Sequence, residues 1–153
     1  ANDKKLEVIQ SFAWNNNGLD LSITVKNQST DVIQIPAIYR PILDNMTFQK
    51  SVTVQSGEKT ISASSGKRRQ DLFIKVAPDQ AGSIIRSFKN GKYAHVLSWE
   101  KGIGKVLSYH SDQYQEMCNF DYASGELFLN DTNLLPGATR SWQIREEIIK
   151  CNR

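Results

Sequence analysis

His95 and His110 are the only histidines in the chain, so any metal or acid–base chemistry is sought there first. Tyr93–Trp99 and Val106–Tyr109 read as strands flanking Glu100-Lys101-Gly102-Ile103-Gly104-Lys105. Paired as a hairpin, they set Glu100 opposite Lys105, Trp99 opposite Val106 and His95 opposite His110. Directly opposed residues have Cβ atoms about 4.5–5.5 Å apart. Asp112 shares the strand face of His110, and two imidazoles with a carboxylate make an open metal site. On that reading the chain is a metal-dependent enzyme centred on His95, His110 and Asp112. Two half-exposed surface histidines satisfy the same geometry, and this plainer reading is preferred. No catalytic residue, metal or cofactor is therefore expected.

Other chemistries fare worse. Ser108, His110 and Asp112 alternate along one strand, but neighbours at i and i+2 stand about 6.6–7 Å apart, too far for a proton relay. No GxSxG elbow, GxxxxGK[ST] loop or GxGxxG turn occurs, which removes the commonest hydrolase and nucleotide signatures. Carboxylate pairs can be drawn from Asp20, Asp121, Glu126, Glu146 or Glu147. Most domains offer such pairs, so they carry no signal.

Cys118 and Cys151 are the two cysteines. With no CxxC, a redox or zinc motif is not indicated. A bridge between them would staple the C-terminal end to the body, and the chain-entropy model gives about 3–4 kcal/mol for a loop of that size. Together with the start at Ala1, it points to a mature periplasmic or secreted chain after signal-peptide removal. Asn27, Asn45 and Asn130 open Asn-x-Ser/Thr sequons; chance alone gives roughly 1.6, so they indicate nothing about glycosylation.

Nineteen Lys and Arg against sixteen Asp and Glu leave a net charge of +3. Nucleic-acid binders carry a larger, clustered excess, and residues 109–122 hold no Lys or Arg to interleave with aromatics. Lys67-Arg68-Arg69 is the densest basic cluster, suited to steering a protein partner with an acidic surface. Among aromatics, Trp14 and Trp142 fall in phase with apolar strand faces and are expected in the core. Trp99 lies beside a turn and is expected half exposed, as a partner-binding residue. Tyr114, Phe120 and Tyr122 gather around Cys118 as partner anchors.

These side chains need elements to position them. Leu6, Val8, Phe12 and Trp14 alternate, as do Leu19, Leu21, Ile23 and Val25, the period of half-buried strands. Between them Asn17-Gly18 is a strong hairpin signal. With those two residues at the turn, Trp14 faces Leu21 and Phe12 faces Ile23, and both apolar sets share one face. Further strands are expected around Val32–Ile35, Phe48–Val54, Leu72–Val76, Glu126–Leu129 and Trp142–Ile148, with an exposed loop over 62–69. Pro78-Asp79 and Gly91 suggest a short helix near 79–89; the rival reading makes Ile84–Lys89 a strand and Asn90-Gly91 its turn. No apolar run of about 18 residues is present to span a membrane as a helix.

The expectation is a single domain over 1–153, mainly all-β: an antiparallel immunoglobulin-like β-sandwich of about seven to nine strands with one short helix. For function, absent motifs favour a non-enzymatic extracytoplasmic module binding another protein through loops at the sandwich ends. An inhibitor, a toxin-immunity-like protein or an assembly subunit would all fit. The alternative is a carbohydrate- or ligand-binding β-sandwich, and the second alternative is the metal-dependent enzyme above.

Overall fold

Alternation of apolar and polar residues becomes thirteen antiparallel strands in the structure, a computed structural model that describes residues 5–16, 18–35, 42–45, 49–64, 70–88, 91–111, 122–129 and 133–151. In chain order the strands are β1 (Leu6–Asn15), β2 (Gly18–Asn27), β3 (Ile33–Gln34), β4 (Ile42–Asn45), β5 (Gln49–Ser56), β6 (Lys59–Ser64) and β7 (Gln70–Lys75). They continue with β8 (Gly82–Phe88), β9 (Tyr93–Trp99), β10 (Ile103–Ser111), β11 (Tyr122–Leu129), β12 (Asn133–Leu134) and β13 (Thr139–Lys150). A seven-stranded sheet runs β1-β2-β13-β9-β8-β5-β6, a four-stranded sheet β4-β11-β10-β7, and β12 pairs with β3. This is the expected all-β, sandwich-like architecture, with more strands than the turn signals suggested. No helix occurs among the described residues, and so none long and apolar enough to cross a membrane.

The core lies between the two larger sheets. Leu21, Ile23 and Val25 of β2, Val52 and Val54 of β5, Ile84 of β8, Leu97 and Trp99 of β9 and Trp142 and Ile144 of β13 are buried on the inner face of the large sheet. Leu72, Ile74, Val106 and Leu127 belong to the buried cluster from the smaller one.

Three local expectations are corrected. Residues 79–89 form no helix: Gly82–Phe88 is β8, paired to β5 on one side and β9 on the other. Ile84 and Arg86 are buried on one face and Ser83 on the other. With Ile84 on one face and Ile85 on the other, the strand lacks the clean alternation that marks half-buried ones. Gly91, at φ 64°, turns the chain into β9. The stretch 62–69 is not loop throughout, since β6 runs through Ser64.

The first hairpin keeps its parity but slides by two. Asn15 pairs with Gly18, Trp14 with Leu19 and Phe12 with Leu21. Gly18 is needed elsewhere: a Cβ there would lie 2.5 Å from the Glu146 carbonyl oxygen of β13. The glycine permits a close strand approach, and Asn16, at φ 25°, takes the strained turn position.

The second expected hairpin does not form. β9 pairs with β8 and β13, whereas β10 pairs with β7 and β11 in the other sheet. The connection is a corner pinned from both sides. Gly102, at φ 81°, donates its N–H to Pro78 O at 2.7 Å, and its carbonyl accepts from Trp142 Nε1 at 3.2 Å. A Cβ on Gly102 would meet the Trp142 ring at 2.7 Å. Lys105 does not face Glu100; its ammonium lies 4.2 Å from the Phe128 ring centroid. A cross-strand ion pair, a few tenths of a kcal/mol, could not hold the hairpin against this packing.

Asn27, the sequon residue, is fully buried at the end of β2. Its Nδ2 donates to Asp31 O at 2.7 Å and Leu134 O at 2.9 Å, and its Oδ1 accepts from Ser29 N at 2.9 Å and Ser29 Oγ at 2.7 Å. One amide thus ties the 28–31 turn and the β12 region to the large sheet. Asn27→Ala is expected to cost about 2–3 kcal/mol or more, because two carbonyl acceptors and two Ser29 donors lose their partner together. A lowered urea midpoint checks it; an unchanged midpoint would contradict the role given to this amide.

Candidate functional site

A seven-stranded sheet against a four-stranded one leaves part of its inner face uncovered, and the exposures locate that part at β1. Val8, Phe12 and Trp14 lie on the face that β2 buries through Val25 and Leu21, yet they are 51%, 58% and 83% exposed. Trp14 was expected in the core and is corrected to the surface. Its alternation assigned it to the correct face, but no opposing layer reaches it.

Following the rows inward leads to a charged group. Trp14 pairs with Leu19, Leu19 with Glu146, and Glu146 with Leu97. One row further, Ile148 pairs with His95, His95 with Arg86, and Arg86 with Val52. Period-two geometry places Glu146, His95 and Arg86 on this same inner face. Arg86 is fully buried, whereas the side chains of His95 and Glu146 are 16% and 20% exposed. The group therefore descends from a half-open rim into the core.

Its contacts define a direction. Arg86 NH1 lies 3.2 Å from His95 Nδ1, and His95 Nε2 lies 3.9 Å from Glu146 Oε2. A guanidinium only donates, so Nδ1 must accept, and the neutral imidazole carries its proton on Nε2. That proton faces the carboxylate across a gap wider than a hydrogen bond. The result is a proton donor and a proton acceptor side by side at a solvent-accessible rim, oriented by a buried cation.

The outer face of the same sheet carries a trough of about 380 Å³ across β1, β2, β13 and β9, lined by Ser11, Ser22, Ser98 and Gln143, with Asp20 and Arg145 at one end. Arg145 and Asp20 are already committed to each other and to their neighbours. Arg145 NH1 donates to Asp20 Oδ1 at 2.8 Å and Asn15 Oδ1 at 2.9 Å, its Nε reaches Glu147 Oε2 at 3.4 Å, and Asn15 also donates to Asp20. The Asp20 hydrogen bond holds the guanidinium above its ordinary pKa. These side chains are engaged with one another, whereas the inner face sets an imidazole N–H toward a carboxylate at a partly open rim, so the inner-face group is the stronger candidate.

The residues singled out in sequence fare unevenly. His95 belongs to the site, with Arg86 and Glu146 as its neighbours in place of a second histidine. The expected His95–His110 pairing is corrected: His110 pairs with Ala123 and Gln70 in the smaller sheet, and its side chain and Asp112 lie outside the described set. Among the described residues no cluster of three His, Cys, Asp or Glu could hold a metal ion. Trp99, expected half exposed, is 3% exposed in the core and packs against Gly82, where an added Cβ would lie 2.3 Å from its ring. Lys67, Arg68, Arg69, Tyr114, Cys118 and Phe120 lie outside the described residues, as does the side chain of Tyr122. Cys151 N–H donates to Lys92 O at 2.8 Å, which holds this end of β13, while the cysteine expected to bridge to it, Cys118, is outside the described residues.

Sequence reasoning missed Arg86 and placed Glu146 only in a general pool of carboxylates. Arg86 carried a signal, since Ile84, Arg86 and Phe88 alternate with Ile85 and Ser87. An arginine in a strand with apolar residues on both faces is a buried-charge candidate.

Comparison with known proteins bears on the frame. A crystal structure from Escherichia coli K12, described as a "putative aldose 1-epimerase", superposes on 97% of this chain with a TM-score of 0.68 and 11% sequence identity. The chain spans 62% of that protein. At this identity the likeness concerns the fold. No protein-family model matches the chain, and no curated protein matches its sequence. The expectation of a non-enzymatic module binding proteins through its loop tips is corrected by this finding: the architecture is one shared with a protein described as an enzyme.

The tautomer is testable directly. Long-range ¹H–¹⁵N correlation spectra at a pH where imidazole is neutral are expected to show His95 protonated on Nε2 with Nδ1 bare. A ring protonated on Nδ1 would remove the donor from the side facing Glu146 and refute the arrangement.

Proposed function

We propose that the domain binds an aldose in its cyclic form at the open inner face of the large sheet, and that His95 and Glu146 exchange protons with it. The single observation that carries this reading is the Arg86–His95–Glu146 arrangement at the uncovered rim. The shared architecture with a protein described as an aldose 1-epimerase supports it.

The chemistry suits the spacing. A cyclic aldose carries its anomeric hydroxyl and its ring oxygen on one carbon. Ring opening removes a proton from the first and delivers one to the second. Glu146 would accept the hydroxyl proton as the bond between the anomeric carbon and the ring oxygen breaks. That oxygen would take the Nε2 proton of His95, and the imidazolate so formed would be held against the Arg86 guanidinium until closure returns the proton. At 3.9 Å apart, the two groups can address oxygens that share a carbon. Ring closure on the other face returns both protons, so the net reaction exchanges the two anomers with no cofactor. Arg86 touches neither oxygen in this scheme; it fixes the imidazole proton on the reactive side.

Polarimetry of freshly dissolved α-D-glucose and other aldohexoses tests the reading. The protein is expected to speed the approach to the anomeric equilibrium, and His95→Ala or Glu146→Gln to lower that rate by about 10²-fold or more, with folding monitored by circular dichroism. Sugar binding without acceleration would leave a carbohydrate-binding sandwich and discard the acid–base role. Neither binding nor acceleration across the panel would overturn the proposal.

A further inference from the structure

β1 is the outermost strand of the large sheet, ten residues long and paired on one side only among the described residues. Long edges of this kind invite pairing with another strand, and proteins usually blunt them with charge, proline or bulges. β1 has none in its centre: Val8-Ile9-Gln10-Ser11-Phe12-Ala13-Trp14 contains no charge and no proline, and its register with β2 is unbroken.

The direction of its free backbone groups can be read. Lys5 O accepts the N–H of Gln28 at 2.8 Å, and this pair continues the register in which Leu6 meets Asn27. In an antiparallel ladder, alternate residues spend their N–H and C=O on the same neighbour. The odd residues of β1 therefore bond to β2. Leu6, Val8, Gln10, Phe12 and Trp14 turn their N–H and C=O toward the open edge. These are also the residues whose side chains lie on the uncovered inner face, where Leu6, Val8, Phe12 and Trp14 are 37%, 51%, 58% and 83% exposed.

We propose that this edge is a homodimer interface, in which β1 pairs antiparallel with β1 of a second copy about a two-fold axis through Gln10. The sequence is self-complementary in that register and not in its neighbours. Gln10 meets Gln10 of the second copy, Val8 meets Phe12 and Leu6 meets Trp14. Each such pair carries outward N–H and C=O groups on both sides, for about ten backbone hydrogen bonds in all. Every large apolar side chain of the inner row then has an apolar partner. On the outer face Glu7 opposes Ala13 and Lys5 opposes Asn15, so no like charges face each other. A shift of the axis to Ser11 would set Phe12 against Gln10 and leave Leu6 facing no strand residue. The two aromatics alone supply about 300 Å² of surface per copy. Leu6, Val8, Ile9 and the edge backbone bring this toward the roughly 800 Å² a stable interface takes from each side. A second copy is favoured over a sugar stacked on Trp14, because a sugar would cover one ring and leave the edge backbone and the other apolar side chains in water.

Sedimentation equilibrium across a concentration series is expected to give twice the chain mass. Gln10→Pro removes an outward N–H that β2 does not use, so it is expected to halve the mass with little change in thermal midpoint. A variant that needs no disruption tests the register itself. Gln10→Cys places two thiols across the axis at a Cα separation of about 5.5 Å, within disulfide range. Ser11→Cys places them beyond about 7 Å, where no bridge closes. Under mild oxidation Gln10→Cys is expected to cross-link to a covalent dimer, with Ser11→Cys and the parent chain as controls that report any link through Cys118 or Cys151. A monomer at every concentration, or equal cross-linking at 10 and 11, would overturn the proposal. Trp14 fluorescence quenched by monosaccharides in a monomeric protein would do so too, and would assign the row to the sugar.

Discussion

Seven strands cannot be covered by four. At about 4.8 Å between strands, the large sheet is about 29 Å wide and the small one about 14 Å. Excess width must either face water or become a surface with a use. The core reaches from β2 to the β5–β6–β8 side, where Ile61 and Ala63 pack against it, so the overhang falls at β1. The exposed apolar row of β1 follows from that mismatch of widths, and His95 and Glu146 stand deeper on the same face, on β9 and β13, with only the outer part of their side chains reached by solvent.

The rim explains how a charged group is tolerated inside a sandwich. Isolated buried charge is costly, and proteins meet the cost by pairing it. Arg86 sits at full burial, with the imidazole accepting from it at 3.2 Å. The two groups that would handle protons lie outward of it, where water and ligand can reach. A guanidinium suits the deep position because it keeps its charge and only donates, so the imidazole nitrogen facing it must accept. The three residues come from β8, β9 and β13, and only the closure of β13 between β2 and β9 brings Glu146 to the others. The site is thus a product of the completed sheet and has no local sequence motif.

That is why the fold was more legible than the site. Period-two alternation in β1, β2 and β13 reports which side chains share a face, and it did so correctly even where the register slid by two. It reports nothing about whether a second layer stands opposite, and Trp14 was misplaced for that reason. Turn chemistry misled where a glycine had a tertiary duty. Gly18 makes room for the β13 backbone, and Gly102 for the Trp142 ring, contacts invisible at a separation of more than a hundred residues or of forty. β8 read as helix because a strand with isoleucines on both faces alternates poorly, and the same pattern hid Arg86.

His95 shows the limit most clearly. The sequence singled it out through rarity, and the structure retains it, yet with a different set of neighbours. The hairpin that would have brought His110 opposite rested on a local turn and one cross-strand ion pair. The chain instead crosses from one sheet to the other at Gly102, where a backbone hydrogen bond to Pro78, the Trp142 indole and the close ring contact act together. Several tertiary contacts outweigh one local pair, and the outcome changes the chemistry on offer. Two opposed imidazoles with Asp112 would have offered an open metal site; an imidazole that accepts from a guanidinium on one side turns its other nitrogen toward a carboxylate, a pair suited to a hydroxyl-bearing ligand.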